Sequence, residues 1–294
     1  MPSLKDIRTR ISSIKNTQQI TRAMKMVSAA KLRRAQHRIV NMRPYGKKIL
    51  SVIADIASTH RVNHPLLSLN SDPKKILLVV LTSDRGLCGG FNTNVNKFAE
   101  QFYKENKSNY EVLDLLFVGR KAFEYFKRRG IEGVDTITNL TREISYMLAA
   151  SVAERLMKSY SEGGYDGIRL VYNEFKSAIS QNLVCETILP IDLIHGTLHG
   201  QEGKVVFSED LIFEPDPREI IEDLLHKHFA VQVYRCMSES VAAEHAARMT
   251  AMENATNNAK EMIDNLTLTY NKLRQASITK ELIEICSGAE VLKG

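Results

Sequence analysis

Apolar residues at Leu4, Ile7, Ile11 and Ile14 recur at a 3-4-3 spacing, so the chain opens as an amphipathic helix. Ser3 stands at the cap position and Asp6 three residues later, in the place of a capping-box acid. The stripe continues after a phase shift through Ile20, Met24, Val27 and Ala30/Ala35, a shift that disturbs an ideal heptad supercoil. Pro44 lacks an N–H and clashes with the preceding turn, so a bend or interruption is expected there. The pattern resumes at Ile49, Val52, Ile53 and Ile56, giving a helix over residues 4–56. At the other end, Asp216-Pro217-Arg218-Glu219 is a strong helix start. No proline or glycine follows until after Ser287, enough for about 100 Å of continuous helix over 217–287. Within it, Ala242, His245, Met249, Met252, Thr256, Ala259, Ile263, Leu266, Tyr270 and Leu273 form a 3-4 repeat. That seam is small and mixed, but its length favours a coiled coil. Two helices at opposite ends of a chain pair most simply as an antiparallel hairpin.

Between them the period changes. Residues 74–82 (KKILLVVLT) read as a buried strand, 92–107 as helix, 110–118 as strand, 121–129 as helix and 141–160 as helix. Further strands are expected at 168–172 and 184–190, and a hairpin or flexible loop at 196–207. Pro65 and Asn70-Ser71-Asp72-Pro73 mark a linker. Alternating strands and helices predict a layered α/β sheet. The fold class is therefore α/β: a long antiparallel coiled coil of the terminal helices (1–60 and 216–290) with a central Rossmann-like α/β domain (74–208).

Charge sharpens this picture. The net charge of +6 is unevenly distributed. Residues 1–60 hold thirteen Lys and Arg against Asp6 and Asp55, near +11, which leaves the remainder near −5. Such a field draws an acidic partner surface, a nucleic acid or an anionic membrane face; the plain alternative is a solvated helix face. No zinc finger or RNA motif is present, and the basic residues thread through the helical seam rather than preceding a leucine zipper, which argues against nucleic acid. The four cysteines are too scattered for a metal or disulfide framework, so reduced thiols are expected. The N-terminus lacks the apolar core of a secretory signal, and no run reaches the ~18 apolar residues of a membrane span.

Candidate chemistry is thin. The loop Ser83-Asp84-Arg85-Gly86-Leu87-Cys88-Gly89-Gly90 follows a strand and precedes a helix, the context of a phosphate site, but matches neither GxxxxGK[ST] nor GxGxxG. Tight-turn packing is the favoured reading and nucleotide binding the alternative. Cys88 at a helix start is a reactive-thiol candidate without a base, so a buried inert thiol is preferred. His195, His199, His226 and His228 match no metal motif. Glu239 and Glu244 read as solvated helix surface.

Three segments carry a family resemblance: Ile7 to Lys31 (IRTRISSIKNTQQITRAMKMVSAAK), Thr82 to Asn92 (TSDRGLCGGFN), and Tyr270 to Ala289 (YNKLRQASITKELIEICSGA). The last contains Ile278-Thr279-x-Glu281-x-x-Glu284-x-x-x-Gly288-Ala289. In this order and spacing they resemble the gamma subunits of F-type ATP synthases, over the whole length. The resemblance implies a central rotor shaft inside the ring of alpha and beta subunits, with the α/β domain meeting epsilon and the c-ring. It implies torque transmission with no catalytic residue, cofactor or metal in this chain, at the cytoplasmic face of a bacterial membrane and peripheral to it. Coupling contacts are implied at Met24, Lys25 and Arg34 in the basic helix, and at Arg274, Gln275, Thr279, Glu281 and Glu284 near the C-terminal tip. The cysteine-bearing insertion of chloroplast gamma subunits is absent.

Overall fold

The computed structural model describes residues 3–60, 64, 66–67, 73–138, 144–177, 180–191 and 214–291. The expected turns at Pro65 and Asn70–Asp72, the loop at 196–207, and His195 and His199 lie outside the described residues. The described elements run α1 (Leu4–His60), β1 (Lys75–Leu81), α2 (Phe91–Asn106), β2 (Val112–Val118), α3 (Arg120–Lys127), β3 (Asp135–Ile137), α4 (Tyr146–Gly163), β4 (Gly167–Phe175), β5 (Gln181–Leu189) and α5 (Pro217–Val291). They fall into two compact units, Met1–Ser28 with Arg248–Gly294, and Ala29–Ala247.

In the terminal unit, Ser3 and Asp6 form the expected capping box: Asp6 N donates to Ser3 Oγ at 3.2 Å and Ser3 N to Asp6 Oδ2 at 3.1 Å. The helices run antiparallel. Thr21 Oγ1 meets Thr256 Oγ1 at 2.8 Å, and Lys25 Nζ meets Glu253 Oε1 at 2.6 Å, so four residues forward on α1 match three backward on α5. The seam of α5 falls where its periodicity placed it: Met252 and Ala259 are buried, and Met249, Thr256, Ile263, Leu266, Tyr270 and Leu273 half-buried. The expected phase shift in α1 is not there. The less exposed positions keep one 3-4 rhythm through Leu4, Ile7, Ile11, Ile14, Gln18, Thr21, Lys25 and Ser28. Ile20 and Val27 are 60% and 56% exposed, and Ala30 is also exposed. Thr21 and Lys25 hold the inner stripe because they find partners there. Thr21 bonds across to Thr256, whose hydroxyl reaches the Met252 carbonyl at 2.7 Å.

The second unit is built on a five-stranded sheet of order β3-β2-β1-β4-β5. β1 to β4 are parallel and β5 is an antiparallel edge. Alternate residues of each strand feed opposite faces. Leu77, Val79 and Leu81 point to a core shared with Ile53 and Ile56 of α1, Val152 and Leu156 of α4, and Leu225 and Phe229 of α5. Ile76, Leu78 and Val80 point to α2 and α3, where Phe117 stacks on Phe126 at 5.0 Å between centroids. The three-residue β3 has no counterpart in the sequence reading, because so short an edge strand carries no periodicity. α4 begins later than position 141: residues 144 and 145 are not helical, and Ser145 Oγ caps Leu148 N at 3.2 Å.

Pro44 does not interrupt α1, which is helical on both sides of it. Pro44 is exposed, and so is Val40, whose carbonyl loses its helical partner and is open to solvent. The cost of proline in a helix interior remains, about 3 kcal/mol against alanine, less up to about 1 kcal/mol for the stiffer unfolded chain. Pro44→Ala is expected to raise stability by about 2 kcal/mol, measured as the urea midpoint of the purified chain. An unchanged midpoint would show that the proline strain is relieved locally.

Candidate functional site

The Thr82–Asn92 segment lies at the carboxyl ends of β1 and β4, where the sheet's strand order reverses. That is the usual ligand crevice of an open α/β sheet. Here protein groups fill it. Cys88, Phe91 and Ala243 are buried together, with Phe175 and Ala247 against them. Asn173 Nδ2 donates to the Phe91 carbonyl at 3.3 Å, and Gln181 Nε2 to the Ala243 carbonyl at 3.1 Å. Asn92 Oδ1 accepts from Ser83 N at 3.0 Å and Asn92 Nδ2 sits 3.2 Å from Cys88 Sγ.

The same loop caps a neighbouring helix. The first-turn N–H groups of α3 are satisfied from it: Arg120 N by Asp84 Oδ1 at 2.9 Å, Lys121 N by the Ser83 carbonyl at 3.1 Å, and Ala122 N by Thr82 Oγ1 at 2.9 Å. This arrangement is tight-turn packing rather than a phosphate cradle. Cys88 is 2% exposed, as expected of a structural thiol.

A second polar cluster was invisible to periodicity. Glu239, read from sequence as solvated surface, is 7% exposed, and this corrects that reading. It sits 3.3 Å from Tyr172 Oη and 3.6 Å from the Arg235 guanidinium. Arg235 also donates to Tyr172 Oη at 3.2 Å and to Glu186, and Tyr172 Oη donates to Glu186 Oε2 at 2.9 Å. Burial raises the Glu239 carboxyl above its ordinary range, against the pull of Arg235. The i, i+4 spacing of Arg235 and Glu239 was the available signal. The strand partners Tyr172 and Glu186 carried none.

The sequence-derived contact residues are spread out. Met24 and Lys25 are half-buried in the terminal unit. The Lys25–Glu253 pair has side chains 38% and 47% exposed, so it is worth at most about 1 kcal/mol. Arg34 is an exposed residue of the other unit. Arg274, Gln275, Thr279, Glu281 and Glu284 are exposed along α5. Glu284 pairs with Lys280 at 3.6 Å, and Glu281 accepts from Ser277 Oγ at 3.3 Å. Twenty-one residues of helix, about 30 Å, separate Arg274 from the rung at Glu253. Lys25 and the tip residues therefore make no common site. Beside the tip residues, Ile278, Leu282, Ile283 and Ile285 are 48%, 56%, 60% and 67% exposed. Apolar exposure of this kind is characteristic of protein interaction surfaces.

A groove of about 450 Å³ between α4 and α5 is lined by Tyr146, Met157, Lys158, His226, Lys227 and Phe229, among others. Its cations are already paired, Lys227 with Asp223 at 2.6 Å and Lys158 with Glu162 at 3.9 Å. Among the described residues no cluster of His, Cys, Asp or Glu is placed to hold a metal, and no helix is long and apolar enough to cross a membrane.

Comparison with known proteins gives a consistent result. The sequence family described as ATP synthase matches residues 3–292. The ATP synthase gamma chain of Bdellovibrio bacteriovorus is 64% identical over 295 residues, covering all of both chains. That of Geobacter sp. strain M21 is 45% identical, again over all of both. Among solved structures, a chain of the Tetrahymena thermophila mitochondrial ATP synthase central stalk and c-ring is 28% identical with a TM-score of 0.59, covering 80% of this chain and 99% of that one. The family match and the full-length identities agree with the paired terminal helices and the five-stranded α/β sheet: the chain belongs to the ATP synthase gamma-chain family.

Proposed function

We infer that this chain is the central rotor shaft of an F-type ATP synthase, with alpha, beta and epsilon subunits and a c-ring as its partners. It is held at the cytoplasmic face of a bacterial membrane through those partners. It carries torque and leaves ATP chemistry to the beta subunits. The carrying observation is the C-terminal end of α5, where Ile278, Leu282, Ile283 and Ile285 lie exposed around a charged helix. A helix end of this kind gains little from local propensity and is completed by a surrounding surface. In this reading the terminal helices (1–60 and 216–290) are the shaft and residues 74–208 the domain that receives torque.

Met24, Lys25 and Arg34 meet acidic loops of the ring at one height, and Arg274, Gln275, Thr279, Glu281 and Glu284 meet it at another. The excess of basic residues in 1–60 supports the first contact. The Lys25–Glu253 pair leaves Lys25 more than a third exposed, so its charge still reaches a partner. Neutralising Lys25 and Arg34 together (Lys25→Gln, Arg34→Gln) is expected to lower the ratio of ion pumping to ATP hydrolysis severalfold. Thermal stability should fall by less than about 1 kcal/mol, since exposed pairs contribute little. Unchanged coupling in an assembled complex would remove these two residues from the contact. Coexpression with alpha and beta tests the whole reading: a single copy of this chain should enter the complex, and exclusion with all partners folded would end it.

A further inference from the structure

We propose that Arg235, together with Glu186, Tyr172 and Glu239, is a positioning cluster that fixes the rotational phase of α5 on the sheet. This rests on the rotor reading, in which torque enters at the α/β domain and leaves along α5. Most of the remaining contact between α5 and the sheet is apolar, with Ile221, Leu225, Phe229, Val233 and Met237 packed into the same core; the bond from Gln181 to the Ala243 carbonyl lies two turns further along the helix. Apolar burial is non-directional and is nearly indifferent to a small roll of the helix. The Arg235 cluster is not indifferent.

Its fork engages two strands at once. One guanidinium nitrogen donates to Tyr172 Oη on β4 at 3.2 Å and another to Glu186 on β5, while Nε donates to Gln232 on the same helix at 2.8 Å. Tyr172 is 1% exposed and bridges Glu186 to Glu239. At a side-chain radius of about 6 Å, a roll of about 20° moves the guanidinium by about 2 Å. That displacement breaks every bond to the strands, because hydrogen bonds fade beyond about 3.5 Å. The apolar stripe therefore holds α5 to the sheet, and the charged cluster resists its turning. Charge-assisted, forked bonds are suited to this because they specify angle as well as distance.

The test separates angle from stability. A fully apolar replacement, Arg235→Met with Glu186→Leu, Glu239→Met and Tyr172→Phe, leaves no unpaired buried charge, so stability should be kept or raised. The variant is assembled into the complete complex, the catalytic ring is locked with inhibitor, and a bead on the α/β domain reports angular fluctuation. Its angular width is expected to roughly double, with a matching fall in the ratio of pumping to hydrolysis. Arg235→Lys, which keeps the charge without the fork, should lie between. Native width in the assembled apolar variant would overturn the proposal. If that variant does not assemble, Arg235→Lys, which loses the fork to Tyr172 and Glu186, is read in its place, and native width there overturns the proposal equally. A native complex whose bead never turns during hydrolysis would instead overturn the rotor reading itself.

Discussion

Gly119→Ala is expected to destabilise the chain by about 4 kcal/mol, from about 1–3 kcal/mol of backbone strain and a similar overpacking cost. Gly119 joins β2 to α3 at φ +106, a conformation open to glycine and closed to other residues. A Cβ there would lie 2.2 Å from the Thr82 carbonyl oxygen and 2.8 Å from Thr82 Oγ1. Neither neighbour can retreat. Thr82 N is held by the Val118 carbonyl at 2.8 Å, Thr82 Oγ1 caps Ala122 N, and Gly119 N donates to the Ile137 carbonyl at 2.8 Å. The clash thus reaches three strands and the start of α3 together.

Gly130→Ala is the control. Its φ of +68 is also left-handed, but nothing lies within 4 Å of an added Cβ, so only a backbone cost of about 1–2 kcal/mol is expected. Urea midpoints of the two variants measure the difference. Equal losses would mean that the contact with Thr82 relaxes freely.

The Thr82–Asn92 motif illustrates what a single sequence discloses. Its glycines and its place between a strand and a helix were legible, and so was the preference for packing over phosphate binding. Its capping of α3 was not, because Arg120, Lys121 and Ala122 lie some forty residues away and no local pattern links them to Asp84 or Thr82. The long helices were legible from their 3-4 spacing and from the caps at Ser3 and Asp216, where Arg218 N donates to Asp216 Oδ1 at 2.8 Å. The phase of α1 departs from its hydrophobic pattern for a physical reason. The apolar residues point to Ile20 and Val27, whereas the seam runs through Gln18, Thr21 and Ser28. Threonine and serine can occupy a helix interface when a hydroxyl partner faces them, and that partner, Thr256, is more than two hundred residues away. Burial of Glu239 was hidden likewise, since its neighbours Tyr172 and Glu186 belong to strands. The tip residues Arg274 to Glu284 were recognisable only as a family motif, because an exposed helix with no partner in its own chain carries no internal signal of contact.

Acidification is expected to weaken the fold through His228, by about 2 kcal/mol between pH 7 and pH 5 and about 3 kcal/mol by pH 4. Two residues along a helix turn a side chain through about 200°, so while His226 lines the groove beside α4, His228 is 2% exposed. Its ring lies 3.4 Å from Gln232 Nε2. Burial, with the Arg235 charge adding to it, pushes the imidazole down from 6.5 to about 4. The folded state therefore resists a proton that the unfolded chain accepts. Stability from this group is fully present above about pH 6.5 and is lost as pH falls towards 4. Glu239 acts in the opposite sense. Its carboxyl is raised in the fold, so its destabilising contribution appears as pH rises and recedes on acidification, offsetting part of the His228 loss. Glu100 and Glu124 are lowered by bonds to Lys104 and Lys121, so they add losses only below the ordinary carboxylate range. Between pH 7 and pH 5 His64, also pushed down by partial burial, adds a loss of the same sign, so the comparison with a variant lacking His228 is what isolates this imidazole. His228→Leu keeps an apolar group in the site and should flatten the urea midpoint across that interval, at the cost of the weak contact with Gln232. Parallel acid slopes for the two proteins would show that His228 takes up its proton in the folded chain as readily as in water, and that the burial of this helix face does not govern its titration.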